Sequence, residues 1–169
     1  MIPIRILATG LLIKFRMPGT HIGLVVFCEV IGSIASGSAV AIEQIAIMAS
    51  VPHKDVAVGL ALLSMITSMG GSIGQAISSA IWTNTLPANL EKMLPDELKG
   101  EAATIYGDLT AQLSYEWGSP ARDAIVHAYA ETQKLMLIAA TVSLAGTILW
   151  ISLMKNHRLD KQQTKGVVF

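Results

Sequence analysis

Charge and cysteine are both scarce in this 169-residue chain. Charged residues make up 14% of it, whereas soluble domains carry about a quarter. Lys and Arg together balance Asp and Glu, twelve against twelve. With no net charge, no global field draws in nucleic acid or an acidic partner. The one cysteine, Cys28, rules out an internal disulfide and leaves the redox compartment unread. The sequence has no Asn-x-Ser/Thr acceptor and no glycine-rich phosphate loop, so nothing in it points to N-glycosylation or ATP hydrolysis. His21, His53, His127 and His157 fall at segment ends or in polar stretches without metal-ligand spacing. Cys28 has no histidine in register for nucleophilic chemistry. The expectation is a protein that is not an enzyme and carries neither a metal site nor a cofactor.

What the chain has instead is apolar length. Hydrophobic residues are 52% of the total, and the mean hydropathy is +0.55. Val56 to Leu90 runs without a charged side chain, and about twenty apolar helical residues suffice to cross the bilayer core. Four apolar segments emerge, at 1–14, 21–51, 56–86 and 132–154. The first is short for a span and fits a signal peptide poorly, because Arg5 interrupts it and no small-x-small cleavage site follows. It reads as the end of a span, and the chain as the C-terminal end of a longer membrane protein. Met17-Pro18-Gly19-Thr20 and Val51-Pro52-His53-Lys54-Asp55 read as turns, the second short enough to make its flanking helices antiparallel neighbours. The third segment exceeds the hydrocarbon thickness and must tilt, protrude or break, with Gly70-Gly71 as the expected bend. The predicted fold class is all-α, a set of polytopic membrane helices.

Residues 87–131 differ in kind. They hold eight of the twelve acids, together with Tyr106, Tyr115, Trp117 and Tyr129. A connection of that length is usually folded or functional. Ser119-Pro120 reads as an N-cap and first helical residue, so one helix is expected to run from this loop into the last span. The tail, 155–169, carries Lys155, His157, Arg158, Lys161 and Lys165. The density of positive charge puts that tail in the cytoplasm and the acidic loop outside.

Glu29 and Glu43 lie fourteen residues apart in the second segment, close to four helical turns, and so on nearly one face. A carboxylate inside a span is costly unless it faces protein or water, which makes both candidates for a substrate or proton pathway. The plainer reading has Glu29 snorkelling to the interface and Glu43 paired structurally. Gln44 beside Glu43, and Gln75 in the third segment, extend the candidate pathway. Gly70, Gly71 and Gly74 have the small-residue spacing of close helix packing. Tyr106, Asp108, Tyr115 and Trp117 are candidates for contact with a bulky solute, against the simpler view that Tyr and Trp favour membrane interfaces.

Three stretches carry a family resemblance. One is Ala103-Thr104-Ile105-Tyr106-Gly107-Asp108-Leu109-Thr110-Ala111-Gln112-Leu113-Ser114-Tyr115, followed by Gly118-Ser119-Pro120-Ala121-Arg122-Asp123-Ala124-Ile125. The second joins Glu43-Gln44 to Gly70-Gly71-Ser72-Ile73-Gly74-Gln75 and Ala80-Ile81-Trp82-Thr83. The third is Gln133-Lys134-Leu135-Met136-Leu137-Ile138-Ala139. In this order they resemble the fungal siderophore–iron transporters, fourteen-span members of the major facilitator superfamily. The resemblance implies proton-coupled import of ferric siderophores by alternating access, in a plasma or endosomal/vesicle membrane. It further implies partners in the lipid bilayer and in N-terminal helices absent from this chain, without which a transport cycle would be incomplete. Family members tend to carry Gln where Glu29 stands. The alternatives are a drug–proton antiporter of the same superfamily, or a non-transporting membrane module.

Overall fold

The computed structural model describes residues 1–153; the expected basic cytoplasmic tail, 155–169, lies outside them. Four long helices carry the architecture: α1 (Ile2–Phe15), α2 (Ile22–Ser50), α3 (Val56–Met93) and, after two short helices, α6 (Pro120–Leu153). The short ones are α4 (Ala102–Gly107) and α5 (Leu109–Ser114), preceded by a 3-10 segment over Asp96–Glu101. No strand occurs among the described residues. The chain is all-α.

Local chemistry explains the breaks. Gly19 turns the chain at φ 85°, a conformation that glycine adopts without steric cost. α2 starts where His21 Nδ1 accepts a hydrogen bond from Gly23 N at 3.1 Å. Between α2 and α3, Pro52 opens a single 3-10 turn, His53–Asp55. α6 begins at Pro120, with Ser119 Oγ accepting from Arg122 N at 3.2 Å.

α2, α3 and α6 are long and apolar enough to cross a membrane, while α1, at 14 residues, falls short of about twenty. α3 passes through Gly70–Gly71 as continuous helix for 38 residues, about 57 Å at the usual rise. Helical hydrogen bonding therefore runs unbroken through the glycine pair. Glycine costs about 1 kcal/mol in a helix, but an open backbone amide in hydrocarbon costs several, so the helix persists. α3 ends at Met93 and α6 begins at Pro120. The boundaries drawn at Pro87 and Glu131 thus fall inside helices.

The buried core lies at one end of the molecule, outside the apolar middle. Leu86, Leu90 and Leu94 form one face of α3 and its C-terminal end, packed with Ala102 and Ile105 of α4 and with Ile125 and Ala128 of α6. Trp82 meets Tyr129 edge to face, with ring centroids 5.3 Å apart. Asn89 donates to Thr132 Oγ1 at 3.1 Å, and the fully buried Thr132 donates to Ala128 O at 2.9 Å. The middle of α3 is bare by contrast: Leu62, Met65, Ile66, Met69 and Ile73 are all exposed. So long an open apolar face marks contact with lipid or other helices. Residues 87–131 are the best-packed part of the chain, a helical cap on the α3–α6 pair.

Candidate functional site

A cleft of ≈ 650 Å³ opens where the α1–α2 turn meets the cap and the first turns of α6. Its polar lining comes from four elements: Arg16 after α1, Glu29 on α2, Gln112 on α5, and Arg122, Tyr129 and Gln133 on α6. The α6 residues recur at intervals of seven and four, the period that keeps them on one helical face.

Arg16 is the clasp between the helices. Its guanidinium lies 3.5 Å from the Glu29 carboxylate, and its Nε donates to Gln133 Oε1 at 2.9 Å. The pair is about half exposed, so in water it would contribute no more than about 1 kcal/mol. The other wall is held more tightly. Gln112, 5% exposed, donates from Nε2 to Ile105 O and accepts at Oε1 from Tyr129 OH at 2.9 Å. Its own carbonyl accepts from Arg122 Nη1. The Arg122 guanidinium also lies 5.6 Å from the centre of the Trp117 ring, within cation–π range.

Two guanidiniums and one carboxylate give the cleft a net positive formal charge beneath an acidic cap. Arginine presents a planar fork of donors suited to oxygen acceptors, and the volume suits a drug-sized solute. This is binding chemistry. Among the described residues no group of three or more His, Cys, Asp or Glu gathers as a metal site.

The residues singled out from the sequence are dispersed. Glu29 lines the cleft, but Glu43 faces a separate cavity of ≈ 180 Å³ between α1, α2 and α6. Gln44 and Gln75 lie exposed on α2 and α3. Asp108 caps α5, accepting from Thr110 N at 2.7 Å. Tyr106 packs against the cap core. Tyr115 OH donates to Glu101 at 2.9 Å, and that hydrogen bond raises its phenol above the ordinary 10.0, with burial and the Glu101 charge adding to the effect. Trp117 is 79% exposed and reaches the cleft through Arg122. A Cβ on Gly70, Gly71 or Gly74 would meet nothing within 4 Å, so these glycines pack against no other element in the described residues.

Arg16, Gln112, Arg122, Tyr129 and Gln133 were not singled out as site residues. The α6 spacing was a readable signal for three of them. Nothing local in the sequence marks Gln112 or Arg16, because their roles depend on contacts 17 and 117 residues away.

Comparison with known proteins gives the chain several relatives. The chain is 42% identical over 168 residues to the MFS siderochrome iron transporter D of Aspergillus fumigatus, covering 99% of this chain and 28% of that protein. It is 44% identical over 171 residues to an MFS siderochrome iron transporter 1 of Ajellomyces capsulatus, covering 99% and 29%. It is 43% identical over 169 residues to the siderophore iron transporter mirB of Emericella nidulans, covering 99% and 28%. Along nearly its whole length the chain is similar to fungal siderophore iron transporters. It spans less than a third of the length of these relatives. No family model and no solved structure matches it. The relatives are transporters by name, in line with a protein that is not an enzyme, and the three long apolar helices agree with an integral membrane protein.

Proposed function

We propose that this chain, together with further membrane helices, forms a proton-driven transporter that imports ferric siderophore chelates. The observation carrying the reading is the relation, along 99% of the chain, to proteins named as siderochrome and siderophore iron transporters. The cleft supports it with oxygen-seeking arginines and room for a bulky solute. Iron enters as cargo inside its chelate, so the protein needs no iron ligands of its own.

In this reading the cap faces the outside, and Trp117 and Arg122 receive the chelate at the mouth of the cleft. Glu43 and Gln44 line the path toward the midplane, where transporter sites form between repeats. Glu43 takes up and releases the coupling proton. The open face around Gly70, Gly71 and Gly74 meets helices that complete the bundle, since small residues let backbones approach closely. The membrane is the plasma membrane or that of an endosomal vesicle. A drug–proton antiporter remains the runner-up for cargo, although none of the relatives above carries such a name. A non-transporting module would use the same glycine face.

Growth decides between them. Cells lacking other iron uptake, expressing the chain with its flanking helices, should grow on a ferric hydroxamate as sole iron source and accumulate labelled iron. Failure to accumulate iron despite membrane insertion would sink the proposal. Normal proton-coupled uptake by Glu43→Gln would remove the proton role alone.

A further inference from the structure

Arg5 is a cation embedded in an otherwise apolar stretch of α1, and it lines two cavities. One, of ≈ 380 Å³, also holds Glu29, Ser33 and Ser36; the other, of ≈ 180 Å³, holds Glu43 and Thr147. Among the described residues neither Arg5 nor Glu43 takes part in an ion pair, whereas Glu29 is paired with Arg16. Two acids on α2 therefore stand against two arginines on and after α1, with one pair closed and the other open.

The helix register explains the difference. α1 and α2 run antiparallel, and a Cβ on Gly32 would lie 3.6 Å from the Ala8 Cβ. Counting outward from that contact, Arg16 falls opposite Leu24, and Glu29 is five residues farther along α2, about 7.5 Å. Arg5 falls opposite Ala35, and Glu43 is eight residues farther, about 12 Å. Helical side chains lean toward their own N-terminus. In antiparallel helices this tilts each arginine and its acid toward one another in both pairs. The first pair closes to 3.5 Å. The second has about 4.5 Å more axial distance to cover and faces across the ≈ 180 Å³ cavity instead.

We infer that Arg5 is the counter-ion of Glu43, and that the cavity between them is where the Glu43 charge is neutralised by the arginine or by a proton. A lone carboxylate at membrane depth is costly, and so is a lone guanidinium; placed across one cavity, each lowers the cost of the other. Among the described residues no other charged side chain lines that space: α6 contributes Leu144, Thr147, Trp150 and Ile151. Arg5 is thus a positioning residue that sets how readily Glu43 accepts a proton. The inference deepens the transport reading, in which Glu43 lies on the proton path, yet it requires only that α1 and α2 are embedded in lipid.

The test uses the 169-residue chain in lipid nanodiscs and dicyclohexylcarbodiimide, an apolar reagent that attacks protonated carboxyls, with adducts located by mass spectrometry. Removing the cation in Arg5→Gln should speed labelling at Glu43 about threefold, less than the tenfold or more expected of an opposite charge within about 4–6 Å. Arg5→Lys should label like the native chain, and Glu29, which shares the other cavity with Arg5 but is held by Arg16, should speed up less than Glu43. Glu43 labelling within twofold of native in Arg5→Gln overturns the inference. So does an Arg5→Lys rate as high as that of Arg5→Gln, or an equal rise at Glu29, which would mark general loosening. Because labelling reads no uptake, this result stands apart from the growth experiment.

Discussion

Gln112 is the residue on which the cap's attachment turns, and its replacement by Leu isolates that role. The volume is nearly conserved, so the substitution opens no cavity. It removes the donor to Ile105 O and the acceptor for Tyr129 OH, at a position 5% exposed. A buried polar group left without a partner costs about 1–3 kcal/mol. The Ile105 carbonyl belongs to a residue 1% exposed and cannot turn to water, while the half-buried Tyr129 hydroxyl recovers part of its loss. The expected loss of local stability is about 2 kcal/mol, and since 1.4 kcal/mol is tenfold, amides of α4 and α5 should exchange about thirty times faster. Tyr129→Phe removes one hydrogen bond and keeps the ring on Trp82, so about 1 kcal/mol and about fivefold are expected. Hydrogen exchange by mass spectrometry in nanodiscs gives both numbers, with α1–α2 peptides as the reference. An exchange rate in α4–α5 changed by less than twofold in Gln112→Leu would refute the reasoning, as would equal acceleration in α1–α2.

Three further outcomes follow from the same geometry. Leu90→Ala, at a site with no exposed surface, should cost about 2–5 kcal/mol and unfold the cap at a lower temperature, read by tyrosine and tryptophan fluorescence. Tyr115 should ionise above 10.0; because its folded value is raised, the Glu101 contact stabilises the cap fully below the ordinary phenol value and is lost as pH rises through the folded one, and Glu101→Gln should move the ultraviolet titration back down. Gly71→Leu should leave the helix content of the isolated chain unchanged, since open space surrounds that position, yet abolish iron uptake when the flanking helices are present; uptake at the native rate would show that the glycine face meets nothing.

The spans were legible because hydrocarbon is a simple solvent. It demands long apolar helices with internally satisfied backbones, and composition alone reports that demand, as it does from Val56 to the end of the charge-free run. Turn chemistry was legible for the same local reason: Gly19 and Pro120 act through their own backbone. The cap was legible in outline, through its length, its aromatics and the Ser119-Pro120 start. Its core escaped notice, because Leu86, Leu90 and Leu94 continue a run of apolar residues that looks the same whether the partner is lipid or Ile105.

The site was harder to read, and the reason is physical. Charges in a membrane protein stand out singly, as unusual residues within spans, so Glu29 and Glu43 draw attention in the sequence while Arg16, the partner of Glu29, does not. Arg16 sits at a segment edge and Arg5 in a short apolar stretch, where each looks like an interruption. Only antiparallel register brings Arg16 to Glu29 and, in the inference above, sets Arg5 against Glu43; register depends on which helix packs on which, a fact that no single segment contains. The same holds for Gln112, an unremarkable polar residue until Tyr129, 17 positions on, folds back over it. Sequence patterns report the solvent each segment requires; the pairing of its rare polar groups is decided by the neighbour, so the charges of such a chain become visible in twos once the helices are set side by side.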